Sequence, residues 1–232
     1  PWVHIFVNIR GLKIHVLMLK RLFGELKTKL LNSPVKRYQN NFLRNEIPIN
    51  RYNDRVDFFI GYCQGKDVIH FGCTDYPIFS PETNLHIKLS KFCKSISGFD
   101  IDIDGIEILR KFVNQAYYSK FEELQDKHYD VCLIPETIEH VDNIALFLDE
   151  ISKIKASTFI ITAPNCFSLR YINRNYEENF VFNEFVHPDH NCWFSPYTLT
   201  NVIKKYTSLV INSVCLLNQD TMVAVIATKV IK

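Results

Sequence analysis

Two short apolar segments each end in a residue that suits cofactor binding. Residues 67–75 read Asp-Val-Ile-His-Phe-Gly-Cys-Thr-Asp, an apolar strand that stops at Gly72 and continues into an acidic loop. A second apolar segment, residues 96–100, ends in the carboxylate of Asp100, 28 residues after Gly72. A glycine turn after one strand and a carboxylate after the next is how a βαβ unit holds a nucleoside-like cofactor. The pattern therefore predicts a cofactor-binding α/β protein.

The composition of this glycine loop discriminates between cofactors. A diphosphate needs several glycines, so that backbone N–H groups can approach it, but here Cys73, Thr74 and Asp75 follow a single glycine. The acidic loop with Asp75 suits a phosphate-free, cationic ligand instead, and an ionised Asp100 can accept both hydroxyls of a nucleoside-like cofactor. A nicotinamide-dependent reductase is the weaker alternative. In purely structural interpretations, Asp100 is a helix N-cap and Asp75 an ordinary turn residue.

Three histidines are candidates for acid–base chemistry. His140 follows a buried strand, and His187 and His190 lie in the loop after the next one. A histidine can act at neutral pH as a general base that removes the proton of a substrate hydroxyl. Alternatively, each of the three could be a hydrogen-bonded loop residue that shapes the pocket. His187-x-x-His190-x-Cys192, with Asp189, could also bind a metal. Its spacing fits no standard zinc pattern, so the sequence predicts no metal.

Strands and helices that alternate along the chain must position these residues. The apolar runs predict strands at 68–71, 96–101, within 117–127, and at 129–134, 158–162, 209–216 and 222–228. Helical spacing and caps predict helices at 12–31, 51–62, 83–94, 105–116, 143–154 and 196–206. We therefore predict a doubly wound, Rossmann-like, mostly parallel seven-stranded sheet with an antiparallel last strand, and a helical N-terminal extension.

The distribution of charge also separates the N-terminal segment from the rest of the chain. Residues 1–66 hold 12 Lys and Arg against 4 Asp and Glu, whereas the remainder holds 15 against 21. We predict a basic helical N-terminal extension or lid over residues 1–62 and a Rossmann-like domain over residues 63–232. The basic segment is either a solvated helix or a surface for anions, including peripheral contact with lipid headgroups.

Apolar runs and cysteines indicate the compartment. No uninterrupted apolar run approaches the ~20 residues of a membrane span, and the N-terminal segment lacks the cleavage site of a signal peptide. The seven cysteines show no CxxC spacing, which favours reduced thiols. We therefore expect a cytoplasmic protein.

Residues 67–228 resemble a class I S-adenosylmethionine-dependent methyltransferase of the small-molecule type. The resemblance is carried by residues 68–75, 98–102, 129–141 and 159–168, together with the later segment 186–196. It implies S-adenosylmethionine as cofactor and S-adenosylhomocysteine as product. The residues that it implies for cofactor binding are Gly72, Cys73, Thr74, Asp75, Asp100, Ile101, Pro135 and Glu136. Ile101 would pack on the adenine, and Pro135 and Glu136 would line the methionine moiety or the acceptor side. The partner of the adenine amine stays open among Ser119, Glu122 and Glu123.

The resemblance also implies the reaction. We expect methyl transfer to a small-molecule acceptor or a sugar- or lipid-linked one, with a hydroxyl as the leading acceptor group and His140, His187 and His190 as candidate catalytic residues. A nucleic-acid acceptor is not expected, because the catalytic portion is net acidic and lacks an Asn/Asp-Pro-Pro-aromatic motif. The alternative is a catalytically inactive binding or scaffold protein with the same fold.

Overall fold

The computed structural model describes residues 46–75, 77–172 and 176–229, the last range without the side chains of 176–178. The helix predicted at 12–31 lies outside these residues. The sheet and the helices around it belong to one compact unit that begins at Ile47.

The described residues form an eight-stranded mixed sheet and a small hairpin. The strands are β1 (Ile49–Tyr52), β2 (Asp67–Phe71), β3 (Ser95–Phe99), β4 (Tyr117–Tyr118), β5 (His128–Ile134), β6 (Lys155–Pro164), β7 (Tyr176–Glu178), β8 (Val181–Asn183), β9 (Val210–Leu217) and β10 (Met222–Thr228). The order in the large sheet is β1-β9-β10-β6-β5-β2-β3-β4, and β7 pairs with β8. Strand β10 runs antiparallel to β6 and β9, whereas the other pairs of the large sheet are parallel. The predicted antiparallel last strand is therefore confirmed.

Helices cover both faces of the sheet. They are α1 (Arg55–Cys63), α2 (Leu85–Ser90), α3 (Ile103–Leu109), α4 (Ile144–Lys153), α5 (Leu169–Ile172) and α6 (Pro196–Tyr206), with a 3-10 turn at Phe121–Leu124. Leu148 of α4 and Leu199 of α6 pack into one apolar core. Phe59 of α1 and Leu89 of α2 pack into a second core. Cores on both faces are what a doubly wound sheet requires, because its central strands are buried on both sides.

The sheet has one strand more than the seven predicted. Strand β1 reads Ile-Asn-Arg-Tyr, and three of its four residues are exposed. It adds parallel to β9 at the edge of the sheet, where no apolar face is needed, so its sequence carries no strand pattern. Residues 47–62, which we had assigned to the N-terminal extension, thus lie in the same compact unit as the sheet.

Side-chain caps fix where the helices begin, and this decides the role of nearby carboxylates. Asp102 caps α3 by accepting the Gly105 N–H at 3.0 Å, so Asp100 is not the helix cap. Helix α4 is capped by Asn143, whose side chain accepts from the Leu146 N–H. Ser195 caps α6, whose first residue is Pro196, as predicted.

Candidate cofactor and acceptor site

The candidate site lies at the carboxyl end of the central strands. Strand β2 pairs in parallel with β3 on one side and with β5 on the other. The chain continues from β2 to β3 on one side, and β5, which comes later in the sequence, lies on the other side of β2. The order of the strands therefore reverses at β2. Such a switch point in a parallel sheet is where α/β proteins bind ligands.

Gly72 occupies a position that only glycine fits. Its φ is +65°, which is in the left-handed region. A Cβ atom there would lie 2.6 Å from Oγ1 of Thr137 in the loop after β5. The glycine thus lets the loops after β2 and β5 approach each other closely. The sequence pattern predicted a role for Gly72. It did not predict one for Thr137, which lies in a distant segment of the chain.

Asp100 is joined to the glycine loop by direct hydrogen bonds. Its Oδ2 accepts from the backbone N–H and the hydroxyl of Thr74, at 3.1 and 2.9 Å, and its Oδ1 accepts from the Asp102 N–H at 3.1 Å. An ionised carboxylate has about four acceptor positions, so one remains on Oδ1. Rotation of the Thr74 hydroxyl frees another. The carboxylate can therefore accept two neighbouring hydroxyls of a ribose.

Asp75 is held in a strained conformation over the start of α2. Its φ is +55°, and its Oδ2 accepts from the side-chain amide of Asn84 at 3.0 Å. The same amide donates to the Cys73 carbonyl at 3.0 Å, while the Asn84 oxygen caps α2. Burial raises the pKa of Asp75, and the nearby charge of Arg55 opposes the rise. Unusual φ values at non-glycine residues often mark functional sites.

Glu136 is a second non-glycine residue in the left-handed region, with φ of +43°. Its N–H donates to the Thr162 carbonyl at 3.1 Å, which fixes the bend after β5. Its carboxylate forms an ion pair with Arg55 of α1, and both side chains are about one-third exposed. Burial raises the pKa of Glu136 and Arg55 lowers it. Arg55 thus lies between the two strained carboxylates, Asp75 and Glu136, and nothing in its helical sequence context had singled it out.

The remaining predicted cofactor residues differ in orientation. Ile101 is 84% exposed directly after β3, where an apolar side chain can cover a ring. Pro135 is buried, and its carbonyl accepts from the Thr137 hydroxyl at 2.9 Å. Cys73 is buried as well: its Sγ would lie 2.7 Å from a Cβ on Gly98, so the thiol packs within the sheet. Only the backbone of Cys73 is left to face a ligand.

The three predicted histidines come together although they belong to two loops. One possible ligand atom of each of His140, His187 and His190 lies within 4.8 Å of those of the other two. Burial lowers the pKa of His140, and it lowers that of His190 to about 4. The Asn191 amide ties the loops together by donating to the His140 carbonyl at 3.0 Å.

Glu139, which sequence reasoning missed, is fully buried beside this histidine cluster. Neither of its carboxylate oxygens has a hydrogen-bond partner. Burial raises its pKa to about 8, with a further contribution from the charge of Glu136. The Asn191 backbone N–H donates to the Glu139 carbonyl at 2.8 Å. A buried carboxyl group without partners is costly and calls for an explanation, such as a ligand or an ion.

Several solved structures of similar fold are described as SAM-dependent methyltransferases. A SAM-dependent methyltransferase from Aquifex aeolicus is 14% identical, with 76% of this chain and 88% of that chain covered and a TM-score of 0.54. The DhpI–SAH complex is 13% identical, with 76% and 82% covered and a TM-score of 0.50. The chain has the class I S-adenosylmethionine-dependent methyltransferase fold. The resemblance seen in the sequence is confirmed for the fold.

A further similar structure is a chain of the Pnkp1/Rnl/Hen1 RNA repair complex, at 16% identity and a TM-score of 0.53. It is matched over 75% of this chain but only 41% of its own length. No family model and no curated protein matches the sequence. None of the helices in the part of the chain that the structure describes has the length and apolar character to cross a membrane.

Proposed function

We propose that this protein is an S-adenosylmethionine-dependent methyltransferase that acts on a hydroxyl of a small-molecule or sugar- or lipid-linked acceptor. The observation that carries the proposal is the Gly72 turn facing Asp100 across the ends of β2 and β3, with hydrogen bonds through Thr74. This geometry supports a ribose on Asp100 and an adenine against the exposed Ile101. S-adenosylhomocysteine is the product that the site would release.

The charges favour an amino-acid moiety at the other end of the cofactor. Asp75 can meet the ammonium group, and Arg55 can meet the carboxylate, because these two residues lie close enough for their charges to interact. Asp75 and Glu136 also favour a cationic sulfonium over a diphosphate. This arrangement supports S-adenosylmethionine over a nicotinamide dinucleotide.

The acceptor side is formed by the loop after β6. Phe167, Phe180 and Phe182 are exposed there, and Trp193 contacts Tyr171 with ring centroids 5.1 Å apart. Exposed aromatic side chains suit an organic acceptor with apolar or sugar surfaces. His140, His187 and His190 supply candidate bases for a hydroxyl proton, since methyl transfer itself needs mainly the alignment of donor and acceptor.

Calorimetric titration with S-adenosylmethionine and S-adenosylhomocysteine tests the cofactor part of the proposal. Asp100→Asn removes a charged acceptor for ribose hydroxyls, so we expect a loss of about 2–3 kcal/mol, or about 30- to 150-fold in affinity. Asp104→Asn, an exposed carboxylate in the first turn of α3, should bind like the wild type. Absence of binding to the wild type at millimolar ligand would overturn the proposal.

Turnover is tested separately by release of S-adenosylhomocysteine with panels of hydroxylated sugars, lipid-linked sugars and phenols. A short RNA is included because one protein of the same fold belongs to an RNA repair complex. Methylation of RNA alone would contradict the proposed acceptor class. Cofactor binding without turnover on any panel would favour the scaffold alternative.

A further inference from the structure

The three histidines after β5 and β6 form a cluster whose ring separations are close to those of a metal site. Their ring centroids are 4.7 Å apart for His140 and His190, and 5.4 Å apart for each of the other two pairs. Three imidazoles bound to one tetrahedral ion, with bonds of about 2.05 Å, have ring centres about 5.2 Å apart. The rings therefore already stand at the separations that a shared ion imposes.

The ligand nitrogens need only small movements. They lie within 4.8 Å of one another, whereas nitrogens on a tetrahedral zinc are about 3.3 Å apart. Rotations of the side chains that move the nitrogens by about 1.5 Å or less would close this difference. Nδ1 of His190 is buried and has no hydrogen-bond partner, so it lacks the compensation that buried polar atoms normally have. An ion at the centre of the cluster would supply that partner.

Groups around the cluster contact two of the rings. Nδ1 of His187 accepts from the Asp189 backbone N–H at 3.3 Å, and the Asp189 carboxylate lies 3.8 Å from the same nitrogen. Binding of an ion through Nε2 requires the tautomer with its proton on Nδ1, and this carboxylate would then accept that proton, as outer partners of metal-bound histidines do. The His140 ring meets the backbone of Asp189. The side chain of Glu139, the residue before His140, is buried, and neither of its carboxylate oxygens has a hydrogen-bond partner.

We propose that His140, His187 and His190 together bind one divalent transition-metal ion of the zinc class. Imidazole nitrogens suit zinc, copper, nickel and iron, and three protein ligands leave the fourth position of a tetrahedral ion open, as in catalytic zinc sites. An open position takes an oxygen donor, either water or a hydroxyl. The idea that this open position binds the hydroxyl of the methyl acceptor rests on the proposed methyltransferase function. Binding of the ion itself does not depend on that function. Sequence spacing missed this site because His140 is supplied by a loop 47 residues before His187.

Metal titration of the full chain, without cofactor, tests this site. Chelator-treated protein is titrated with Zn²⁺ by calorimetry and with Co²⁺ by visible absorption, which reports tetrahedral coordination. We expect one ion per chain with a Kd of about 1 µM or lower. His187→Ala and His190→Ala should each weaken binding at least about 100-fold and abolish the tetrahedral Co²⁺ spectrum. His187 lies in an exposed loop position, so its removal should leave the thermal melting curve unchanged.

His128→Ala is the matched control, since this exposed histidine begins β5 and is not part of the cluster. It should bind Zn²⁺ like the wild type. The proposal is overturned if the wild type binds no ion, or if the two cluster variants and the control bind equally well. Because the ligand is the metal alone, failure of methyl transfer would not affect this outcome, and absence of the ion would leave the S-adenosylmethionine titration unchanged.

Discussion

Gly72→Ala should destabilise the protein for two reasons: the backbone conformation at this position and a close contact with Thr137. An alanine at φ of +65° carries a backbone penalty of about 1–2 kcal/mol. Its Cβ would also lie 2.6 Å from Oγ1 of Thr137, and overpacking of this kind costs about 1–3 kcal/mol. We therefore expect a loss of about 2–5 kcal/mol in the free energy of unfolding. Since the same turn faces Asp100, cofactor affinity should fall as well.

Variants at other glycines and at Thr137 separate the backbone penalty from the steric one. Gly65 has φ of +70° with open space around it, so Gly65→Ala measures the backbone penalty alone. Gly61→Ala, within helix α1 and without close neighbours, should be neutral or stabilising by about 0.5–1 kcal/mol. Thr137→Ala removes Oγ1 and leaves its Cβ 3.7 Å from the new methyl, an ordinary contact. The double variant of Gly72 and Thr137 should therefore be about 1–2 kcal/mol more stable than the sum of the single changes.

Urea unfolding of these variants, followed by circular dichroism, measures the free energies. Calorimetry with S-adenosylhomocysteine on the folded variants reports the effect on the site. The account of the turn is refuted if Gly72→Ala costs no more than Gly65→Ala, or if the changes at Gly72 and Thr137 are simply additive.

Two further predictions follow from charged and titratable groups near the site. Arg55→Met should weaken the binding of S-adenosylhomocysteine about tenfold, because it removes the partner of the ligand's carboxylate. Binding of 5′-methylthioadenosine, which has no carboxylate, should be unaffected. Equal losses for both ligands would contradict this role of Arg55. Burial holds the pKa of His86 at about 3, and its Nδ1 lies 3.1 Å from Nδ1 of His70. Between pH 6.5 and 3 the unfolded chain therefore binds more protons than the folded one at His86, so stability falls as the pH drops. From pH 7 to 5 this loss is about 2 kcal/mol. Urea unfolding at both values should show a smaller loss for His86→Gln, and an equal loss in both proteins would show that His86 is not the cause.

Local sequence patterns predicted the centre of the fold well, because the relevant signals lie within a few residues. The strand before Gly72 is buried from Val68 to Phe71, and the strand before Asp100 is buried at Ile96, Gly98 and Phe99, so their ends were recognisable. The antiparallel strand β10 was predicted for the same reason. Strand β1 was not, since an exposed edge strand needs no apolar residues.

Contacts between distant segments could not be predicted in this way. Arg55 reaches Glu136 across 81 residues, and nothing in the sequence of helix α1 marks it. The histidine cluster depends on the approach of two loops, which the Asn191 hydrogen bonds hold together. Glu139 lies within residues 129–141, which carry the family resemblance, but only the structure shows that its carboxylate is buried without a partner.

A crystal structure of the full chain with S-adenosylhomocysteine would locate the cofactor. We expect both ribose hydroxyls within hydrogen-bonding distance of the Asp100 carboxylate, at about 2.5–3.0 Å. We also expect the adenine against Ile101 and the amino-acid end between Asp75 and Arg55. Binding of the ligand elsewhere, or no occupancy at saturating concentration, would contradict this arrangement.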